Sequence, residues 1–259
     1  MTAREIVRLM NEEERAVLDA MHKAEAAIAV AAERVAEAYR EGGRTIYVGA
    51  GTSGRIAAMD AAEMVPTFSV QPGRFVALMA GGYSADSTPM EEAEDQEHAA
   101  VRDLNDLDLD RQDVVIGLAA SGKTPYTVSA VRHAHQKGLW TCGIASVKGS
   151  PLLRAADLPV FAPTGPEVLA GSTRLKAGTA QKLILNRIST IAMVLSGKVM
   201  DNLMVDVHAT NSKLRERCVR IVRELSTATS EEAQEVLERN GWNVRRALAE
   251  LTDLSTTPH

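Results

Sequence analysis

Apolar residues recur at helical spacing through the first forty positions. Ile6, Leu9 and Met10, then Val17, Leu18 and Met21, then Ile28, Ala31, Ala32, Val35 and Ala38 form one stripe. These are the three- and four-residue intervals of an amphipathic helix. Neither Gly nor Pro interrupts residues 3–39, so the spacing predicts two helices, or one long bent helix, ending at Gly42-Gly43. The period then changes. Short apolar runs at 44–48, 75–79, 114–118, 140–145 and 158–161 read as buried strands. Helical stretches separate them. The first is 53–63, closed by Val65-Pro66-Thr67, and the second is 88–104, with Thr88-Pro89 as cap and first turn. The others are 126–137, stopped by Gly138, and 173–195. Strand alternating with helix implies an α/β fold whose parallel sheet is covered on both faces. A further helix is expected at 202–223. Residues 226–251 break the rhythm: Ser230-Glu231-Glu232 caps a short helix, Asn240-Gly241 ends it, and another helix follows from Trp242. This tail reads as a small helical subdomain.

Composition narrows the function classes. The chain of 259 residues is long enough to bury a substantial core. Its net charge of −5, with both signs mixed along the chain, argues against a nucleic-acid surface. Aromatic residues make up only 3%, and Ala and Val supply much of the apolar content, which suits helices packed closely on a parallel sheet. No apolar run reaches the ~18 residues of a membrane span. The start, Met1-Thr2-Ala3-Arg4-Glu5, lacks the apolar centre of a signal peptide. Cys142 and Cys218 form neither a metal spacing nor a disulfide framework and read as reduced thiols of a cytoplasmic protein.

The chemistry concentrates in two strand-to-helix junctions. Residues 45–55 read strand, then Gly49-Ala50-Gly51-Thr52-Ser53-Gly54-Arg55, then helix; residues 113–125 repeat the design with Ser121-Gly122-Lys123-Thr124-Pro125. Glycines let the backbone turn tightly. Hydroxyls then stand where a helix exposes its first N–H groups, a ready site for phosphate. Two such loops at the ends of parallel strands predict one site for a phosphorylated small molecule.

Two nucleotide motifs match by letter and fail by context. Gly49-x-Gly51-x-x-Gly54 fits the dinucleotide fingerprint, but the second strand ends in Ala80-Gly81-Gly82 without the carboxylate that holds a ribose. Gly117 to Thr124 fits a nucleotide P-loop, but the strands at 140–145 and 158–161 are followed by Ser146 and Ala162, not by a magnesium-holding Asp. Pro125 is a further misfit. Among carboxylates, Glu63 ends the helix that opens at the first loop. Glu94 lies in the acidic run 91–97, whose plain reading is a solvated helix face; helical spacing sets it apart from Ala93, Gln96 and Glu97. Glu167 follows Pro166 in a loop, and Arg174 and Lys176 precede the long helix. These cations either neutralise substrate charge or pair on the surface. The six histidines show no metal-binding spacing, since His133 and His135 fall on different helix faces, so no metal or cofactor is expected. His208 is open to a proton-transfer role or to an ordinary surface or core position.

At this point a family resemblance becomes specific. Tyr47-Val-Gly-Ala-Gly-Thr-Ser-Gly-Arg55, Asp60-Ala-Ala-Glu63, Pro66-Thr67, Ala80-Gly-Gly82, Ala93-Glu-Asp95 and Ala119-Ala-Ser-Gly-Lys-Thr-Pro-Tyr126 resemble the N-acetylmuramic acid 6-phosphate etherases. So do Gly171-Ser-Thr-Arg-Leu-Lys-Ala-Gly-Thr-Ala-Gln-Lys182, Asn202-Leu-Met-Val-Asp-Val207 and Ala209-Thr-Asn211, in the family's order along nearly the whole chain. The resemblance implies the sugar isomerase domain fold over 1–223, a flavodoxin-like three-layer sandwich around a five-stranded parallel sheet. It also implies a homodimer and a ubiquitin-associated-like module at 226–252. It implies a lyase that removes D-lactate from its substrate and then adds water, with Glu63 protonating the leaving oxygen and Glu94 taking the C2 proton and later activating water. Gly51, Thr52, Ser53, Ser121, Gly122, Lys123 and Thr124 would hold the phosphate, with Glu167 and Lys176 as further substrate contacts. The sequence departs from the family pattern at Met64-Val65, where Cys-Pro is usual, and at residues 146–149 after the fourth strand. Such departures leave room for a related sugar phosphate. Two alternatives on the same fold are a phosphosugar aldose–ketose isomerase, with Glu167 or Glu94 as its one base, and a non-catalytic sugar-phosphate sensor like glucokinase regulatory protein.

Overall fold

The computed structural model describes residues 1–82, 91–206, 209 and 211–256. Five strands, β1 (Thr45–Gly49), β2 (Phe75–Met79), β3 (Val114–Leu118), β4 (Trp140–Ala145) and β5 (Leu158–Phe161), form one parallel sheet in the order β2-β1-β3-β4-β5. Every residue of β1 and β3 is buried, as expected of parallel strands covered on both faces. Ile46 and Val48 join a core with Val115, Ala100, Leu104, Tyr126 and Val131. Tyr47, between them, points to the other face and donates to Asp60 Oδ2 at 3.0 Å.

Helices α1 (Ala3–Glu13) and α2 (Arg15–Arg40) settle the N-terminal stripe as two helices, and α2 packs on β1, β3 and β5. After β1 comes α3 (Gly51–Phe68); after β2, a 3-10 turn (Glu91–Asp95) and α4 (Glu97–Asn105). Helix α5 (Pro125–Gln136) follows β3, α6 (Pro151–Ala155) follows β4, and α7 (Lys176–Leu195) follows β5. Arg44 and Asp113, just ahead of β1 and β3, tie the opposite end of the sheet: the Asp113 carboxylate accepts from the Arg44 backbone N–H at 2.7 Å and from its guanidinium at 2.6–3.2 Å.

The described residues form two compact units: residues 1–62 with 73–192, and residues 63–72 with 193–259. The second unit has its own apolar core, in which Cys218, Ile221 and Val222 of α8 (Ser212–Leu225) meet Ala233, Val236 and Leu237 of α9 (Ser230–Arg239) and Val244 and Ala247 of α10 (Val244–Thr256). A capping box between Thr229 and Glu232 starts α9. Gly241 and Trp242, both with positive φ, make the break foreseen at Asn240-Gly241.

Several expected boundaries are corrected. Helix α3 begins at Gly51 and runs through Pro66 to Phe68, not to residue 63. Burial of Met64 and Phe68, four residues apart, carries the helix over the one N–H that Pro66 lacks. The expected helix over 88–104 is a 3-10 turn, a break at Gln96, and then α4, so α-helical spacing does not set where Glu94 points. Helix α7 starts at Lys176 instead of residue 173. The helix expected from 202 starts only at Ser212, because the Asn211 side chain accepts from Leu214 N–H at 2.9 Å and caps it there. Helix α6 has no counterpart in the sequence reading, although Ser150 and Pro151 carry a cap-and-first-turn signal. Thr88, Pro89, Val207, His208 and Thr210 lie outside the described residues.

Candidate active site

The strand order changes direction between β1 and β3, and ligands of such sheets sit beyond the C-terminal strand ends at that switch. Both hydroxyl loops lie there. Gly49, the last residue of β1, is paired in register with Leu118, the last of β3, so Ala50–Ser53 and Ala119–Thr124 leave the sheet side by side. The first loop turns at Gly51, φ +51°, and enters α3 with Thr52 half-buried and Ser53 buried. The second turns at Gly122, φ +63°, and enters α5 at Pro125. Ser121 Oγ accepts the Lys123 N–H at 3.2 Å, which leaves its own proton to give. Thr124 is the N-cap of α5, yet its hydroxyl makes no capping bond. Lys123 is exposed and brings the positive charge.

Gly122 has no room for a side chain. A Cβ there would stand 2.0 Å from Ser150 Oγ and 2.5 Å from Ser150 Cβ. The left-handed backbone adds a cost of about 1–2 kcal/mol for any L-residue. Gly122→Ala is therefore expected to distort the second loop, with Tm lower by several degrees and the KM for a sugar phosphate raised roughly tenfold or more, since each hydrogen bond to a charged group is worth about 1.5–3 kcal/mol. Thermal melts and steady-state kinetics check both.

Helix α7 braces the first loop. Ser53 Oγ donates to Gln181 Oε1 at 2.9 Å, and the Cβ that Gly178 lacks would lie 3.6 Å from Thr52 Cγ2. The start of α7 is itself occupied: Glu167 accepts the backbone N–H groups of Lys176 and Ala177, each at 3.0 Å. Lys176, 2% exposed, pairs with Glu13 of α1 at 2.5 Å. Glu167 and Lys176 are thus brought together at the α7 N-terminus, each with a protein partner.

Glu94 is exposed on the 3-10 turn, while its neighbour Ala93 is buried in the core with Ala80 and Tyr126. That turn packs on α5, the helix the second loop opens. Glu63 is exposed on α3, about three turns beyond Gly51. Asp60, one turn before it, is buried and accepts from Tyr47 and, at 3.2 Å, from Ser189 of α7. Burial first, and then the Asp60 charge, push the Tyr47 hydroxyl well above its ordinary pKa, so it stays a donor.

Residues that sequence reasoning gave no role include Gln181, Ser150 and the Asp60–Tyr47–Ser189 group. Their signal is weak, because a polar residue inside a helix or loop is usually solvated. Among the described residues, four buried side-chain atoms lack a hydrogen-bond partner: Thr127 Oγ1, Ser150 Oγ, Thr164 Oγ1 and Gln181 Nε2. Ser150 adjoins the second loop and Gln181 the first. A buried unpaired donor costs about 1–3 kcal/mol.

Known proteins resemble this chain in sequence and in fold. Residues 27–135 match the family model for the glucokinase regulatory protein N-terminal SIS domain. Residues 92–187 match the SIS domain, and residues 201–259 match the C-terminal lid domain of glucokinase regulatory protein. The chain is 53% identical over 248 residues to the N-acetylmuramic acid 6-phosphate etherase of Geobacillus thermodenitrificans, covering 96% of this chain and 84% of that one. It is 50% identical over 247 residues to the enzyme of the same name from Rubrobacter xylanophilus (95% and 82% covered), and 47% identical over 247 residues to that from Staphylococcus aureus (95% and 83%). In fold it is similar to a phosphoheptose isomerase from Francisella tularensis, at TM-score 0.58 and 18% identity, covering 75% of this chain and 100% of that one. It is also similar to phosphoheptose isomerase GmhA from Neisseria gonorrhoeae, at TM-score 0.57 and 18% identity (73% and 97%). No helix among the described residues is long and apolar enough to cross a membrane.

Proposed function

This chain belongs to the N-acetylmuramic acid 6-phosphate etherase family, and from that premise we propose that it cleaves the D-lactyl ether of N-acetylmuramic acid 6-phosphate, giving N-acetylglucosamine 6-phosphate and D-lactate. The observation that carries the reading is the pair of hydroxyl loops side by side at the switch point of the sheet. Thr52, Ser53, Ser121, Lys123 and Thr124, with the backbone at Gly51 and Gly122, hold the 6-phosphate. Glu167 fixes the start of α7, and Lys176 sets a buried positive charge beside it.

The chemistry of this carbon–oxygen lyase runs through two carboxyl groups. In the open-chain sugar the C1 aldehyde acidifies C2. Glu94 removes the C2 proton, the electron pair forms the C2–C3 double bond, and the C3–O bond breaks. Glu63 gives its proton to the departing lactyl oxygen. Glu94 then passes the C2 proton to solvent and Glu63 takes one back; Glu94 next removes a proton from water as the water oxygen bonds to C3, and returns it to C2, which restores both groups. Anchoring the phosphate fixes C2 and C3 relative to the base, which turns binding energy into orientation.

The family resemblance implies a homodimer. In this reading Glu63 of the partner subunit completes each site, in an isologous dimer. The enzyme works in the cytoplasm, in amino-sugar catabolism and peptidoglycan recycling. The test is direct: the protein incubated with N-acetylmuramic acid 6-phosphate releases D-lactate, measured by a D-lactate dehydrogenase assay. Folded protein that releases none overturns the reading. Interconversion of sugar isomers without lactate marks an isomerase, and tight binding without turnover marks a sensor.

A further inference from the structure

Ser53 presents a difficulty for a phosphate site. Its single hydroxyl proton is already donated inward, to Gln181 Oε1 at 2.9 Å. A phosphate oxygen accepts hydrogen bonds and needs that proton. Gln181 is 2% exposed, and its Nε2, the end of the amide that could donate, has no partner. One side chain thus holds a satisfied acceptor and an idle donor, next to a hydroxyl that can take either role.

We propose that Gln181 is a positioning residue that sets the direction of the Ser53 hydroxyl. This inference rests on the phosphate-site reading above. In the empty site Oε1 receives the Ser53 proton. When an anion occupies the first loop, the amide turns over, Nε2 donates to Ser53 Oγ, and the Ser53 proton points at the anion. No bond is made or broken and no proton changes owner. A glutamine suits this task because its two ends have the same shape and opposite hydrogen-bonding character. An aspartate or glutamate would only accept, and would hold the Ser53 proton permanently inward. The site for the turn is local: α7 passes the loop closely enough that Gly178 lies against Thr52.

The test is a double-mutant cycle on the full-length protein, with the KM for N-acetylmuramic acid 6-phosphate and inhibition by inorganic phosphate as readouts. Ser53→Ala alone is expected to raise KM about tenfold or more, the effect of removing one hydrogen bond to a charged group. Gln181→Glu keeps the shape and the acceptor and removes the donor; it is expected to raise KM by a similar factor, with a smaller change in kcat. In the Gln181→Glu background, Ser53→Ala is expected to change KM less than about twofold, because Ser53 no longer faces the anion. The cycle cancels any repulsion between the introduced carboxylate and the phosphate, which is present with or without Ser53. Gln181→Met, which neither accepts nor donates, frees the Ser53 proton and is expected to bind more tightly than Gln181→Glu even if its Tm falls further. If Ser53→Ala costs the same in both backgrounds, Gln181 does not orient Ser53. If Ser53→Ala leaves KM unchanged in the wild-type chain, the first loop is not a phosphate site, and both readings fall.

Discussion

Glu94→Gln is expected to slow D-lactate release about 10²- to 10⁴-fold, the usual worth of one positioned proton-transfer group. The substitution keeps the size of the side chain and removes its basicity. It should leave the fold intact, because the Glu94 side chain is exposed and its turn is held by buried Ala93. A Tm within a degree or two of the wild type, with kcat lost, separates chemistry from stability. Glu63→Gln is expected to cost a similar factor for the same reason. The two variants then offer a sharper experiment. If each site combines Glu94 of one copy with Glu63 of the partner subunit, a mixed dimer of the two variants contains one intact site. Random pairing would restore about a quarter of the wild-type activity, as two-fold symmetry dictates. If both residues act within one copy, every site in the mixture carries a defect and nothing is restored. Co-expression of differently tagged chains, followed by purification of the mixed dimer, decides between these outcomes. Full activity in Glu94→Gln would remove the proposed base altogether.

Asp113→Ala is expected to destabilise the sheet-bearing unit by about 3–5 kcal/mol, the cost of breaking a buried ion pair on one side. The Asp113 side chain is 1% exposed and receives the Arg44 backbone N–H, its guanidinium, and the Asp110 N–H at 2.9 Å. Its loss strands a guanidinium that also ties Leu107 and Asp108 carbonyls at 2.8 and 2.9 Å. In melting experiments this amounts to roughly 10 °C. The effect carries a pH signature. Burial by itself would raise the Asp113 pKa, but the Arg44 bonds and the two backbone donors outweigh it and hold the carboxyl below its usual range. A depressed carboxyl stabilises the fold above its unfolded value, near 3.9, and loses that contribution as the pH falls through the folded value. The stability gap between the wild type and Asp113→Asn should therefore be widest near neutrality and narrow below about pH 4. A gap that stays constant down to pH 3 would show that the ion pair contributes nothing through its charge.

The strands were legible because each is a short, mainly apolar run, wholly buried in β1 and β3 and partly so in the edge strands β2 and β5. Phe75–Met79, Val114–Leu118, Trp140–Ala145 and Leu158–Phe161 fall where the apolar runs stand, and β1 is displaced by one residue. The loops were legible as tight turns because glycine next to hydroxyls, between an apolar run and a helical stretch, marks a strand-to-helix junction; Gly51 and Gly122 both take positive φ there. Helix ends were harder. Pro66 reads as a stop, and only the burial of Met64 and Phe68 overrides it. The acidic run at 91–97 reads as one helix, and only the packing of Ala93 and Ala100 into the core reveals a 3-10 turn followed by a new helix.

By itself, then, the sequence determined the α/β alternation, the two glycine- and hydroxyl-rich loops at strand-to-helix junctions, and the resemblance that points to an etherase, because each depends on residues adjacent in the chain. Tertiary structure alone decided the strand order that sets Gly49 beside Leu118, the capture of Ser53 by Gln181 across 128 positions, and the pairing of Lys176 with Glu13 across 163. Those contacts join residues that share no local pattern. They arise from how helices settle on a twisted sheet, where burial favours the apolar faces and most polar groups carried inward find a partner already there.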